Sequence, residues 1–136
     1  MTPEGLAVVR AFLNVAAAKD YAGLKRFLEP DSAWFGTRGG LDEQRVVRGA
    51  DAWISYLQEI EDPWQRFDFD MERIVDIDDT IVVLLRETAQ SRHAGLQVQD
   101  QTAMIFKVAG HKVVKARGYL DRDEAFAAAR EDHWPE

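Results

Sequence analysis

The chain has 136 residues, a formal net charge of −7 from 17 basic and 24 acidic side chains, and no cysteine. A chain of this length forms one domain that buries roughly two-thirds of its unfolded surface, so we expect a single domain over residues 1–136. The missing cysteines exclude disulfides and cysteine metal sites, and an acidic chain without a basic stripe is a poor partner for nucleic acid.

No targeting or membrane segment is evident. The opening residues Thr2-Pro3-Glu4 are polar, whereas a signal peptide places a basic segment before an apolar one. No apolar run approaches the roughly 20 residues that a membrane-spanning helix requires. We therefore expect a cytoplasmic protein with no membrane partner.

Two helices are predicted at the start of the chain. Thr2 and Pro3 suit the N-cap and the first turn of a helix whose apolar residues recur at helical spacing to about Lys19. Asp20 suits the cap of a second, shorter helix. Pro30 ends this second helix, because proline cannot continue a helical hydrogen-bond pattern.

A strand and a third helix follow. Residues 33–35 predict a short strand that stops at Gly36, and the glycines and mixed charges of residues 37–48 indicate a loop. The third helix is predicted over residues 50–60, where one face is apolar. Asp62-Pro63 breaks it.

From Phe67 onward the apolar period changes from about 3.6 to 2, which is typical of strands. Asp121 then opens a terminal, alanine-rich helix. The predicted strands cover residues 67–71, 81–89, 96–108 and 112–120.

This order predicts an α+β fold, a cone-shaped barrel in which helices pack in the concave face of a strongly curved, mainly antiparallel sheet. Such a cone leaves an apolar pocket. The predicted buried residues are Phe12, Leu13, Phe27, Trp53, Leu57, Met104 and Phe106.

Three segments carry a resemblance to a known family. HKVVKARGYLDRDEAFAAA resembles the ending of SnoaL-like proteins, VVLLRETAQSRHAGLQVQDQTAMIFKV resembles their two preceding strands, and AFLNVAAAKDYAGLKRFLEPDSAWF resembles their opening helix pair. The resemblance covers almost the whole chain and implies the nuclear-transport-factor-2-like cone fold. Relatives include ketosteroid isomerases, polyketide cyclases, limonene epoxide hydrolases and non-catalytic binding modules, so it implies the fold more strongly than an activity.

The residues that carry two of these activities are missing here. The positions that match the catalytic Tyr and two acidic residues of ketosteroid isomerases hold Phe12, Gly36 and Thr102. Limonene epoxide hydrolases have Arg-x-Asp on one strand, and this chain has Arg86 followed by Thr88 in that pattern. Neither mechanism is expected, because both need carboxyl groups that these positions lack.

Asp100 and Arg86 are the candidate catalytic residues. Taking Lys107 as outward, the period of 2 places Asp100, Thr102 and Met104 on the inner face. SnoaL-like cyclases use a pocket Asp as acid and base on an enolisable substrate, and a desolvated Asp100 would suit that role. The alternative is a solvated Asp100 at the rim of the sheet. Arg86 either faces inward and pairs with Asp100 or the substrate, or faces outward in a surface ion pair.

The candidate substrate-binding residues are aromatic or lie on the same inner face. The alternative for the aromatic ones is plain core packing. The set comprises Trp34, Trp53, Tyr56, Thr102, Met104 and Phe106. No cofactor or metal is predicted, since Asp76, Asp78 and Asp79 lack the glycine and distal glutamate of a calcium loop.

Two functions remain open at this point. The first is binding of an apolar small molecule in the cone pocket without catalysis. The alternative is an acid/base enzyme of cyclase, isomerase or hydrolase type, acting on an apolar enolisable or polycyclic substrate. In the resembling family the outer sheet face usually pairs, so we also expect a homodimer through an exposed patch of Ala103, Ile105, Val113 and Tyr119.

Overall fold

The computed structural model describes residues 3–93 and 95–135. Within them, four α-helices combine with one six-stranded sheet. The helices are α1 (Pro3–Ala17), α2 (Tyr21–Leu24), α3 (Ala50–Glu61) and α4 (Arg122–Glu131), with a 3₁₀ turn at Lys25–Phe27. The strands are β1 (Leu28–Arg38), β2 (Val46–Arg48), β3 (Trp64–Ile77), β4 (Thr80–Ser91), β5 (Gln97–Ala109) and β6 (Lys112–Tyr119).

The sheet has the order β2-β1-β6-β5-β4-β3 and is antiparallel except where β1 runs beside β6. Register shifts interrupt the pairing in β1, in β3 and between β5 and β6, and such irregularities increase the local bend of a strand. The predicted α+β fold with a mainly antiparallel, curved sheet is confirmed. No helix in the described part of the chain combines the length and the hydropathy needed to cross a bilayer.

Several element boundaries differ from those predicted. β1 already begins at Leu28, and Pro30 lies within it because a register shift between Leu28 and Ala33 removes the need for a ladder hydrogen bond there. The predicted loop contains β2, which is too short to show a period of its own. Pro3 begins α1, while the predicted cap Thr2 lies outside the described residues.

The main core lies on the concave face, between the sheet and the first three helices. The ring of Phe12 on α1 lies 5.9 Å from that of Trp53 on α3 and 5.8 Å from that of Phe106 on β5. Of the predicted buried residues, Phe12, Leu13, Trp53 and Phe106 are buried, whereas Phe27, Leu57 and Met104 are partly buried and pack against them.

The outer face of the sheet is covered by α4. Ala103, Ile105 and Tyr119 are buried there under the alanines of that helix, whose small side chains let it approach the strands closely. Val113 belongs to the concave core instead, because the shift between Lys107 and Val108 reverses the alternation of β6. The expectation that these four residues form an exposed patch is therefore wrong, and the homodimer stays a prediction without that support.

We expect Phe106→Ala to lower the free energy of unfolding by about 3–5 kcal/mol, because it removes a buried ring and leaves a cavity. Chemical denaturation measures this loss. Leu41→Ala is the control, since Leu41 is exposed and should change stability by less than about 0.5 kcal/mol. A loss below about 1 kcal/mol for Phe106→Ala would show that its surroundings are not a packed core.

Candidate functional site

A row of polar side chains crosses the otherwise apolar concave face. On β4 the side chains facing the core alternate as far as Leu85, so Glu87 faces the same side. The pairing of β4 with β5 places Leu85 opposite Thr102 and Glu87 opposite Asp100. Thr102 and Asp100 continue the inward series of Phe106 on β5. The three polar residues therefore lie on one surface.

Glu87 and Thr102 are joined by a hydrogen bond. The Oγ1 hydroxyl of Thr102 donates to Oε1 of Glu87 at 2.8 Å, and Thr102 is only 4% exposed. Burial raises the pKa of Glu87, and the nearby Asp100 charge adds to that increase, while the hydrogen bond from Thr102 opposes it. Glu87 thus keeps its proton to a higher pH than a free glutamate, a property that suits a group exchanging protons with a substrate.

Glu87 was not among the sequence candidates. The apolar run from Ile81 to Leu85 contains no polar residue that marks which side faces outward. The signal that would have found it lies on the next strand, because Lys107 marks the outward side of β5 and pairs with Thr80 on β4. Using that signal requires the length of the connecting turn, which the sequence does not determine.

Asp100 lies at the exposed end of the row. Asp100 is exposed, whereas its predicted acid/base role depended on a desolvated carboxyl group. The buried carboxyl group of the row is that of Glu87. Asp100 still affects the row, since its charge is one of the causes that raise the pKa of Glu87. A catalytic role for Asp100 stays a prediction.

Arg86 lies on the outer face, where Nη2 donates to Oε2 of Glu72 at 3.1 Å. Of the two alternatives, the surface ion pair is the one observed, and inward pairing with Asp100 is not. Glu72 also pairs with Arg122 of α4. Arg122 in turn donates to the backbone oxygens of Leu85 at 2.9 Å and Thr102 at 3.1 Å. It therefore holds β4 and β5 together directly behind the polar row.

The aromatic candidates form a packed cluster under α3. The ring of Trp34 lies 5.8 Å from that of Trp53 and 6.1 Å from that of Tyr56, and all three residues are buried. The guanidinium of Arg45 covers the Tyr56 ring at 4.6 Å. This arrangement matches the alternative of core packing, and a role for these residues in substrate binding remains a prediction, as it does for Met104 and Phe106.

Gly36 shows why a catalytic carboxylate is absent from its position. A Cβ atom there would lie 1.7 Å from the carbonyl oxygen of Asp42, far inside contact distance. The backbone N–H of Gly36 also donates to the oxygen of Arg45 at 2.8 Å. The loop before β2 therefore occupies the space that a side chain would need. Among the described residues, no group of three or more metal-ligating side chains could hold a metal ion.

The sequence model of the SnoaL-like domain matches residues 9–116. The chain belongs to the SnoaL-like domain family. The match begins within α1 and includes α3 and the strands that carry Glu87, Thr102 and Asp100. No curated protein sequence matches the chain.

Solved structures of similar fold cover nearly the whole SnoaL-like domain. A nuclear-transport-factor-2-like protein of unknown function from Burkholderia pseudomallei is 17% identical, with 93% of this chain and 97% of that chain covered and a TM-score of 0.76. A SnoaL-like polyketide cyclase candidate from a Jannaschia species is 16% identical, with 96% of each chain covered and a TM-score of 0.76. TerC, crystallised with polyporic acid, is 15% identical, with 94% and 98% covered and a TM-score of 0.74. At these identities the likeness shows a shared fold.

We expect Glu87→Gln to change how stability depends on pH, since glutamine keeps the oxygen that accepts from Thr102. The pKa of Glu87 is raised on folding, so its contribution to stability is present below the unfolded pKa and is lost as pH rises through the folded pKa. The variant should therefore gain stability over the wild type as pH rises through that range. Urea unfolding from about pH 4 to about pH 8 measures the difference.

Glu72→Gln is the matched control with the opposite sign. The hydrogen bond from Arg122, with the charges of Arg122 and Arg86, lowers the pKa of Glu72. Its contribution is present above the unfolded pKa and is lost as pH falls through the folded pKa, so this variant should lose stability at neutral pH. Parallel pH profiles for the wild type and Glu87→Gln would contradict the environment described for Glu87.

Proposed function

We propose that the concave face of this SnoaL-like domain binds an apolar small molecule that carries an oxygen function, and that Glu87 and Thr102 are its polar contacts. The observation that carries the proposal is the hydrogen-bonded Glu87–Thr102 pair on an apolar surface. Binding sites for small molecules are mostly apolar, with a few polar groups that orient the ligand.

The surroundings of this pair fit such a ligand. On β3, Phe69 lies opposite Glu87 and Met71 opposite Leu85, and both are partly buried residues that pack against the concave core. A flat apolar molecule would contact these side chains, while an oxygen atom would reach the polar row. TerC, which has the same fold, was crystallised with polyporic acid, and this supports small-molecule binding by analogy.

The second candidate is an acid/base enzyme acting on an enolisable substrate. Its specific support is the raised pKa of Glu87, for which burial is the main cause. Ionised Glu87 would take a proton from the carbon next to a substrate carbonyl, which leaves an enolate and a neutral Glu87. The neutral carboxyl would return the proton to carbon. The likeness in fold to a polyketide cyclase candidate agrees with this chemistry.

The ketone 2-tetralone is a suitable probe of binding, because it joins an apolar bicyclic body to one carbonyl oxygen. We expect Thr102→Val to weaken its binding about tenfold, since the change removes the hydroxyl that holds Glu87. Isothermal titration or tryptophan fluorescence measures the affinity.

Thr88→Val is the control for this binding test. It makes the same substitution two residues after Arg86 on β4. Because side chains alternate along a strand, Thr88 lies on the outer face of the sheet with Arg86. Wild-type affinity is expected for this variant. Equal affinity in Thr102→Val and Thr88→Val would place the ligand away from the polar row and contradict the proposal.

Proton exchange separates the enzyme from the binding module. If Glu87 transfers the proton, the wild type should accelerate deuterium exchange next to the carbonyl of 2-tetralone, and Glu87→Gln should lower that rate by about 10²–10⁴. Proton NMR in D₂O follows the exchange. Asp100→Asn should change the rate less than Glu87→Gln, because Asp100 would act only through the pKa of Glu87. A larger loss of rate in Asp100→Asn than in Glu87→Gln would show that Asp100 transfers the proton. If the wild type does not accelerate the exchange, binding without catalysis is the remaining function.

A further inference from the structure

Arg117 on β6 is a buried cation on the face of the sheet opposite to the polar row. It is 7% exposed. Its Nε donates to the oxygen of Gly36 at 3.3 Å, and its Nη1 donates to the hydroxyl of Tyr119 at 3.4 Å. A guanidinium has five N–H donors, so these two contacts leave most of them unused. Both acceptors are neutral.

Arg117 has no carboxylate within ion-pair distance among the described residues. Arg38, which lines the same cleft, is different, because it pairs with Glu43 at 3.1 Å and with Glu124 at 3.0 Å. Arg38 is therefore in direct contact with two acids, whereas Arg117 interacts with Glu43 through its charge and without a direct contact. A buried guanidinium whose N–H donors are not all used is costly, so Arg117 is a position where an anion that accepts from those donors would be stabilised.

A cleft of about 310 Å³ opens beside this guanidinium. Arg117 and Tyr119 line one side, α4 supplies Ala127, Ala128 and Glu131, and His133 of the tail lies at the edge. The volume is in the range of small-ligand sites. The alanines and the ring of Tyr119 offer an apolar surface next to the charged group.

We propose that this cleft binds a small organic monocarboxylate, with the guanidinium of Arg117 as its charged contact. The planar guanidinium fork matches the two oxygens of a carboxylate. Glu124 and Glu131 also line the cleft, and their charges would repel a phosphate dianion more strongly than a monoanion. The apolar part of the ligand would lie on Tyr119 and the alanines.

This site is separate from the concave face. Arg117 and Tyr119 alternate with Ala116, which belongs to the concave core. The ligand would therefore lie on the outer side of the sheet, and a substitution at Arg117 should leave 2-tetralone binding unchanged.

The test uses benzoate as the probe, with benzamide as its neutral isostere and inorganic phosphate as the dianionic competitor. We expect benzoate to give a saturable shift of the Arg117 Nε–H resonance in ¹⁵N NMR spectra, while benzamide and phosphate bind at least tenfold more weakly. Arg117→Met, which keeps a similar volume, should weaken benzoate binding at least tenfold. Arg86→Met is the control, because Arg86 is an exposed outer-face arginine away from the cleft.

Three results of these binding measurements would overturn the proposal. They are an unmoved Arg117 resonance at saturating benzoate, equal binding of benzamide, and wild-type affinity in Arg117→Met. The resonance of the wild type decides the first point even if the variant fails to fold. Sedimentation tests whether a second copy of the chain occupies the cleft instead. A wild-type dimer that dissociates in Arg117→Met would show that a carboxylate of the second copy contacts Arg117. This result would also overturn the small-molecule site.

Discussion

The unbroken antiparallel pairing of β4 with β5 is the constraint on which the rest of the structure depends. It runs without a register shift from Thr80 opposite Lys107 to Gln90 opposite Gln97. Because side chains alternate between faces, a slip of one residue would exchange every inward side chain for its neighbour. Glu87 would then leave the concave face and Arg86 would enter it. The identity of the polar row is therefore a consequence of register.

The two carboxyl groups near this pairing show how location determines proton affinity. Glu87 faces the apolar side, where burial raises its pKa. Glu72 faces the outer side, where a hydrogen bond and charge from Arg122 lower its pKa. The same residue type thus has a raised pKa on one face and a lowered pKa, with an ion pair, on the other. That ion pair has a structural use, because Arg122 also binds the backbone oxygens of both strands behind the polar row.

Covering the outer face with α4 has a second consequence. The alanines of α4 lie close to Ile105 and Tyr119, so the sheet is buried on both sides around its centre. Arg117 lies at the margin of that contact and is buried without becoming paired. Packing that stabilises the sheet thus also creates a desolvated cation beside a cleft. The apolar side chains on the outer face pack against α4 of the same chain, so they give no argument for a partner chain.

The sequence by itself determined the classes of element, the α+β cone and the membership suggested by its three segments, because apolar periodicity and capping residues act locally. It also identified Thr102 and Asp100 as inward, since Lys107 marks the parity of β5. Only the tertiary structure showed that Glu87 faces inward with them and that Arg86 faces outward. An apolar run does not reveal which of its side chains face inward until pairing with a neighbouring strand fixes its register. Burial likewise depends on contacts between distant segments. For that reason only the folded chain distinguishes the half-buried Glu87 from the exposed Asp100, and shows Arg117 enclosed without a carboxylate in direct contact.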